Sequence, residues 1–177
     1  GVAERAERAA FVGAADRLFA SSRMFFVYPL GNSLFAGLKL GATVVLDSRW
    51  PTAHTVAATV GEARPSVFFS VPSMYRSLVK AGLAQGFVQA GVRACVSAGE
   101  ALPAALRDEW RRETGITLVD GYGASETLCL VLVDRGDGDA LSRLEPLQQD
   151  GGGHADRVEK RPPSCRPCIV SRFGGEV

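Results

Sequence analysis

Short apolar runs recur along this chain: ATVVL (42–46), SVFFS (66–70), RACVSA (93–98), ITLVD (116–120) and LCLVLV (128–133). Each is apolar at successive positions and not at alternate ones. A strand of that kind must be covered on both faces, which is the situation of parallel strands joined by crossover helices. Helix-patterned segments lie between the runs. TAHTVAATVGEA is opened by Pro51 and Thr52 and closed by Pro65, VPSMYRSLVKAGL carries Pro72 in its first turn, and PAALRDEWRRET stops at Gly115. Proline opening a helix, and glycine or proline closing one, agree with these boundaries. The alternation predicts an α/β fold with a mainly parallel sheet covered by helices.

The two ends read differently. Residues 1–20 read as a helical, Ala-rich lead-in, and MFFVYPL as a short apolar run followed by a turn. Asn32 is placed to cap a helix over SLFAGLKL, which Gly41 ends. Residues 1–140 are therefore taken as one partial domain. Residues 141–177 show no sustained period and are rich in Arg, Pro and Gly. A structureless stretch of that length is unusual inside a compact domain, so it reads as an irregular tail, disordered or out of frame.

Composition narrows the function classes. The 177 residues are 46% hydrophobic with a formal net charge of +1, which suits one globular domain or a part of one. That balance leaves no electrostatic footprint for nucleic acid. No apolar run approaches the roughly 20 residues a bilayer span needs, so no membrane partner is expected. The polar N-terminal stretch lacks the apolar core of a secretory signal, which makes the cytoplasm the expected location. Cys95 and Cys129 sit in strand-like runs as small hydrophobes. Cys165 and Cys168 have a C-x-x-C spacing, but His154 does not complete a zinc site with them at a recognisable spacing. His54 reads as a helix-surface residue, and RDEWRRE as a solvated face.

Two stretches carry chemistry: SAGEALP (97–103) and DGYGASETL (120–128), each following a strand. Open α/β sheets bind ligands outside the carboxyl ends of their strands, and glycine there lets the backbone approach a flat or anionic group. Ser125 can donate to a phosphate oxygen. Glu126 can hold Mg²⁺, a hard cation usually shared with substrate phosphates. Tyr122 offers a ring to a purine. On residue chemistry alone, a nucleotide site and a structural turn both remain open.

In these stretches the chain resembles the adenylate-forming (AMP-binding) superfamily of acyl- and aryl-CoA synthetases, peptide-synthetase adenylation domains and luciferases. Tyr122, Gly123, Ala124, Ser125 and Glu126 match its Tyr-Gly-x-Thr/Ser-Glu signature. VFFSVPSMYRSLV and RACVSAGEALP resemble two upstream segments, and FFVYPLGNSLFAGLKLGATVVL resembles the aromatic-rich segment of benzoate- and hydroxybenzoate-CoA ligases. The resemblance implies part of the large N-terminal domain of such an enzyme. It implies that Gly99, Glu100 and Ala101 border the adenine, with Asp120, Gly121, Tyr122 and Gly123 on its other side and Tyr122 stacked on the base. Ser125 would touch the α-phosphate, Glu126 would bind Mg²⁺, and Val27, Tyr28 and Gly121 would line an aryl pocket. The implied reaction uses ATP, Mg²⁺ and coenzyme A, with an aromatic or acyl carboxylate as the small-molecule partner. The carboxylate forms an acyl-AMP, and the CoA thiol then displaces AMP.

The resemblance is incomplete. GVAERAERAAFV does not match the family's phosphate-binding loop, and residues 134–177 do not match its ribose-binding Asp, hinge or C-terminal Lys domain. Benzoate-type relatives often carry His at the third place after the motif Glu, where this chain has Cys129. The expectation is a ligase fragment, inactive as an isolated chain and self-associating through exposed strand edges. The alternative is a non-catalytic α/β binding or interaction module derived from a ligase.

Overall fold

The structure, a computed structural model, describes residues 12–127, 129–134, 145–146 and 169–172. Its strands are β1 (Arg17–Ala20), β2 (Thr43–Asp47), β3 (Val67–Ser70), β4 (Ala94–Ala98), β5 (Leu118–Ala124), β6 (Cys129–Asp134), β7 (Glu145–Pro146) and β8 (Ile169–Arg172). They form one sheet in the order β7-β6-β5-β4-β3-β1-β2-β8. Every pairing from β8 across to β5 is parallel, and β6 pairs antiparallel with both β5 and β7. This is the mainly parallel, helix-covered sheet that the apolar runs require.

The helices divide between the two faces. Helix α1 begins at Val27–Pro29, widens into a π-helical segment at Leu30–Phe35 and regains α geometry over Ala36–Leu40. On one face it and the turn before it cover Leu18, Ala20, Val67, Phe69, Val96 and Val119, through Met24 of the turn and Tyr28 and Leu40 of the helix. Gly37 makes that approach possible. A Cβ there would lie 2.6 Å from Val44 Cγ2 and 3.0 Å from Leu18 Cδ1. The other face carries α2 (Ala53–Ala63), α3 (Pro72–Lys80), α4 (Gln85–Ala90) and α5 (Ala104–Thr114). Their apolar sides meet Phe19, Val45, Phe68, Cys95 and Leu118. At the centre, Trp110 packs edge-on against Tyr75 and Phe87, with ring centroids 4.9 and 5.2 Å apart. Such offset and edge-on contacts are the favoured aromatic geometries.

The local signals explain the helix limits. Thr52 and Thr55 form a reciprocal capping box at the start of α2. Pro72 occupies the first turn of α3, and Gly115 closes α5 in the left-handed region at φ 72°.

Four expectations are corrected. Residues 17–20 were expected to be helical and form β1. Leu18, Phe19 and Ala20 are buried between two neighbouring strands, and that burial outweighs the helical preference of the Ala-rich stretch. MFFVYPL was expected to be followed by a turn; instead its second half starts α1, which continues to Leu40. Asn32 caps nothing and lies buried inside the π-helical segment. Finally, Gly121–Ala124 are not a loop: β5 runs through them because β6 returns alongside, with an irregularity between Tyr122 and Gly123.

Of residues 141–177, those at 145–146 and 169–172 form β7 and β8. His154, Cys165 and Cys168 lie outside the described residues, as do residues 1–11 of the lead-in. Among the described residues no helix is long and apolar enough to cross a membrane.

Candidate functional site

The chain leaves β1 toward β2 and leaves β3 toward β4, in opposite directions, so the sheet changes winding between β1 and β3. Crevices at the carboxyl ends of strands beside such a point are where open α/β sheets take ligands. At the switch itself the crevice is stitched shut. Ser21 and Ser70 share a buried hydrogen bond of 2.5 Å, and Ser21 N–H donates to Phe69 O at 3.1 Å. Openings remain on either side of it.

One, of about 340 Å³, lies at the ends of β1 and β2 against Arg23, Asp47, Arg49 and Thr55. It contains no residue of either glycine-bearing stretch. Arg49 is tied there to Asp47 at 2.9 Å, and the Arg23 guanidinium lies 4.9 Å from the centre of the Trp50 ring. The other, of about 210 Å³, lies between α1 and the ends of β4, β5 and β6. Its lining is Phe26, Val27, Tyr28, Asn32, Ala98, Gly99, Gly123, Ala124, Ser125 and Leu130. The smaller cleft is the candidate site, because it brings together residues distant in sequence that residue chemistry (Ser125) or the resemblance (Val27, Tyr28, Gly99, Gly123) had already singled out.

Val27, Tyr28, Gly99, Gly123 and Ser125 are the expected residues that meet in the cleft. Tyr28 forms a wall. Its ring stands edge-on to Phe69 with centroids 6.2 Å apart, and its hydroxyl donates to Val96 O at 3.0 Å. Tyr75 donates to the same carbonyl, also at 3.0 Å, from the α3 side of the sheet. Burial first, and the Asp120 carboxylate second, push the Tyr28 phenol well above its ordinary value. It is neutral throughout the physiological range, and its hydrogen goes to the protein.

Gly99 and Ser125 reach the cleft, whereas Glu100, Ala101, Tyr122 and Glu126 line the same strand ends without entering it. Gly99 turns the chain after β4 at φ 89°, a backbone state that favours glycine. Beyond it, Glu100 and Ala101 are exposed, and the Glu100 carboxylate accepts a hydrogen bond from Ser73 at 2.9 Å. Tyr122 is 64% exposed, its ring free of the core. Ser125 and Glu126 are exposed in a 3-10 turn over Ser125–Thr127.

Two residues of the set stand elsewhere. Asp120 is half-buried beside Arg107, at 3.9 Å, and shares a register position with Asp134. Arg107 spends its better contact on Asp134, at 2.9 Å, so part of the segment read as a solvated face is an ion pair. Burial raises the Asp120 carboxyl above the ordinary range; Arg107 opposes that shift and Asp134 adds to it. Gly121 is buried behind the cleft, where a Cβ would lie 2.8 Å from Leu130 Cδ1. It touches the cleft only through Leu130.

Sequence reasoning did not name Phe26, Asn32, Ala98, Ala124 or Leu130 for the cleft, although Ala124 lies within the matched signature. Asn32 had a usable signal: it is an amide, next to Ser33, inside the otherwise apolar run FFVYPLGNSLFAGL. It is 1% exposed, donates to Tyr28 O at 2.9 Å and accepts from Leu130 N–H at 3.4 Å. Among the described residues no cluster of three or more His, Cys, Asp or Glu could hold a metal ion. His54 is exposed on α2, as read from the sequence.

Comparison with known proteins bears on the family and the fold. The family model described as AMP-binding enzyme matches residues 2–159. The chain is 43% identical over 137 residues to a 3-hydroxybenzoate/4-hydroxybenzoate–CoA ligase of Thauera aromatica, covering 77% of this chain and 26% of that protein. It is 44% identical over 134 residues to a 3-hydroxybenzoate–CoA ligase of Aromatoleum sp. (strain CIB), covering 75% and 26%. A crystal structure of a benzoate CoA ligase from Burkholderia xenovorans LB400 superposes with a TM-score of 0.72 at 31% identity, covering 82% of this chain and 30% of that one. The chain thus spans about a quarter of the length of the curated relatives it matches.

Proposed function

The chain belongs to the AMP-binding enzyme family, and on that premise we propose that it carries the aryl and α-phosphate part of an ATP-dependent aromatic acid–CoA ligase site. The observation that carries the reading is the cleft itself. Its lining combines apolar residues (Val27, Tyr28, Ala98, Leu130) with the signature residues Gly123 and Ser125. Its volume of about 210 Å³ lies below the roughly 300–1,000 Å³ of drug-sized pockets, so it suits one ring and its carboxylate, not a whole nucleotide.

The nucleotide belongs along the strand ends outside the cleft. Gly99, Glu100 and Ala101 border one side of the adenine, and Tyr122 and Gly123 the other. The exposed Tyr122 ring is available to stack on the base. The ring acid sits between Val27, Tyr28 and Leu130, with its carboxylate toward Ser125. One carboxylate oxygen attacks the α-phosphorus of ATP, the bond to the β,γ-diphosphate breaks, and acyl-AMP and pyrophosphate result. In the second half the CoA thiol, losing its proton, attacks the acyl carbon and AMP leaves. The contribution of this chain is orientation: a dry wall fixes the ring, and the Ser125 hydroxyl donates to an α-phosphate oxygen.

Glu126 fits Mg²⁺ in one sense only. It is a single exposed carboxylate, which matches an ion shared with phosphates and kept partly hydrated, not one caged by protein. Such an ion supplies charge neutralisation on the phosphate oxygens.

Calorimetry with a non-hydrolysable benzoyl-adenylate mimic tests the reading. Saturable binding is expected, weakened together by Ser125→Ala and Glu126→Ala. An absence of heat at millimolar mimic, with the melt intact, overturns it.

A further inference from the structure

The cleft has two walls from distant parts of the chain, and one side chain joins them. Tyr28 and Val27 come from the start of α1; Leu130 comes from β6, on the far side of the β5–β6 turn. Asn32 reaches both. Its amide N–H donates to Tyr28 O and its carbonyl accepts from Leu130 N–H. The two partners fix the orientation of the amide, because a carbonyl oxygen needs a donor and a backbone N–H needs an acceptor. Asn32 is 1% exposed and sits within Leu30–Phe35, the π-helical segment. Segments of that kind are rare and occur often at functional sites, since the extra residue per turn redirects a side chain.

We propose that Asn32 is a positioning residue that locks the α1 wall to β6 and so fixes the width of the aromatic end of the cleft. This rests on the ligase reading for its substrate, an aromatic carboxylate, but the clamp itself does not depend on it. Other polar groups of the lining cannot take the role. The Tyr28 hydroxyl is committed to Val96 O, and Ser125 is exposed. The arrangement also accounts for a buried amide in an apolar run. A buried polar group persists where it is bonded, and Asn32 is bonded to backbone on both walls.

The test uses the full chain and three ligands: AMP, the benzoyl-adenylate mimic and benzoate. Asn32→Ala removes both bonds. The expected result is about tenfold weaker binding of the mimic and of benzoate, with AMP affinity within about twofold of wild type. Asn32→Asp adds a readout that loss of volume does not mimic. Protonated, its carboxyl donates to Tyr28 O and accepts from Leu130 N–H as the amide does; ionised, it presents only acceptors. Binding of the mimic by Asn32→Asp is therefore expected near wild type at about pH 5 and weak at about pH 8, since burial raises a carboxyl's pKa. The titratable group beside this amide is Tyr28 of α1, which feels the Asp120 carboxylate of β5; Asp120 and Asp134 themselves pair with Arg107 of α5. Wild type titrated in parallel removes their contribution.

Mimic affinity unchanged in Asn32→Ala overturns the proposal. Equal loss of AMP and mimic also overturns it, because the effect is then general. If wild type binds no mimic at all, the ligase reading fails, and the clamp is judged by amide exchange. Faster exchange at Leu130 in Asn32→Ala, with the β3 and β4 amides unchanged, supports it; an unchanged Leu130 amide overturns it.

Discussion

Replacing Tyr28 by Phe separates a wall from a hydrogen-bonding group. The phenol donates to Val96 O, and Tyr75 donates to the same oxygen from the opposite face of the sheet, both at 3.0 Å. Removing the Tyr28 hydroxyl leaves that carbonyl with the Tyr75 donor, so no buried acceptor is stranded. The loss is then one intramolecular hydrogen bond, about 0.5–1.5 kcal/mol. In a domain of this size that lowers Tm by about 2–4 °C per kcal/mol. The ring remains, so affinity for the benzoyl-adenylate mimic is expected to change by less than about twofold. A hydroxyl bonded to ligand instead would make Tyr28→Phe about two- to twelvefold weaker. Tyr75→Phe gives a similar stability loss; Tyr75 also lies 3.3 Å from Phe68 O. The double variant removes both phenol donors from Val96 O, so its loss exceeds the sum of the singles, a coupling that a double-mutant cycle measures. Chemical denaturation of the four proteins and calorimetry with the mimic check both halves. Additive stability losses refute the shared-acceptor argument, and a large affinity loss in Tyr28→Phe refutes the wall.

Three further outcomes are expected. Gly121→Ala places a Cβ 2.8 Å from Leu130 Cδ1; Leu130 must shift toward the cleft it lines. Overpacking of this kind costs about 1–3 kcal/mol, and mimic binding should weaken while AMP binding does not, which a melt and a titration read together. Asp16 accepts hydrogen bonds from Gly13 N–H, Ser66 and Arg93 at 2.7, 2.6 and 2.7 Å. Burial raises its carboxyl, but those bonds outweigh burial and the net shift is downward. Its stabilisation is therefore present above the ordinary value of 3.8 and lost as pH falls through the lower folded value. Asp16→Asn should flatten that acid limb and lose about 1–3 kcal/mol at neutral pH, toward the low end because Arg93 is partly exposed. Asp120 has the opposite sign. Its folded value is raised, so stability is full below 3.8 and falls as pH rises through the folded value. Asp120→Asn should gain on wild type over that window and hold the gain at neutral pH; equal stabilities at pH 4 and pH 7 would contradict it.

The legible parts of the fold were those decided locally. ATVVL, SVFFS and RACVSA are apolar on successive residues and became β2, β3 and β4, each a parallel strand covered on both faces. Thr52, Pro72 and Gly115 punctuate helices through their own backbone chemistry, and they did so here. What failed was decided by distant partners. β1 has four residues within an Ala-rich stretch, and only its place between β2 and β3 makes it a strand. DGYGA has the composition of a turn, yet β6 pairs with it and extends it.

The candidate site divides along the same line. Ser125, Gly123 and Gly99 were legible because glycine and hydroxyl residues at strand ends announce backbone exposure, a one-dimensional property. Leu130 and Asn32 were not, because each matters through a contact across the fold: Leu130 through Gly121 beneath it, Asn32 through two backbone groups 98 positions or fewer away. Gly121 illustrates the difference. The resemblance implied contact with ligand there, whereas its missing Cβ makes room for Leu130, which lines the cleft. A glycine beside a site can therefore shape it from behind. The DGYGASETL stretch accordingly joins residues that line the cleft, such as Ser125, to a residue, Gly121, that makes room for one that does.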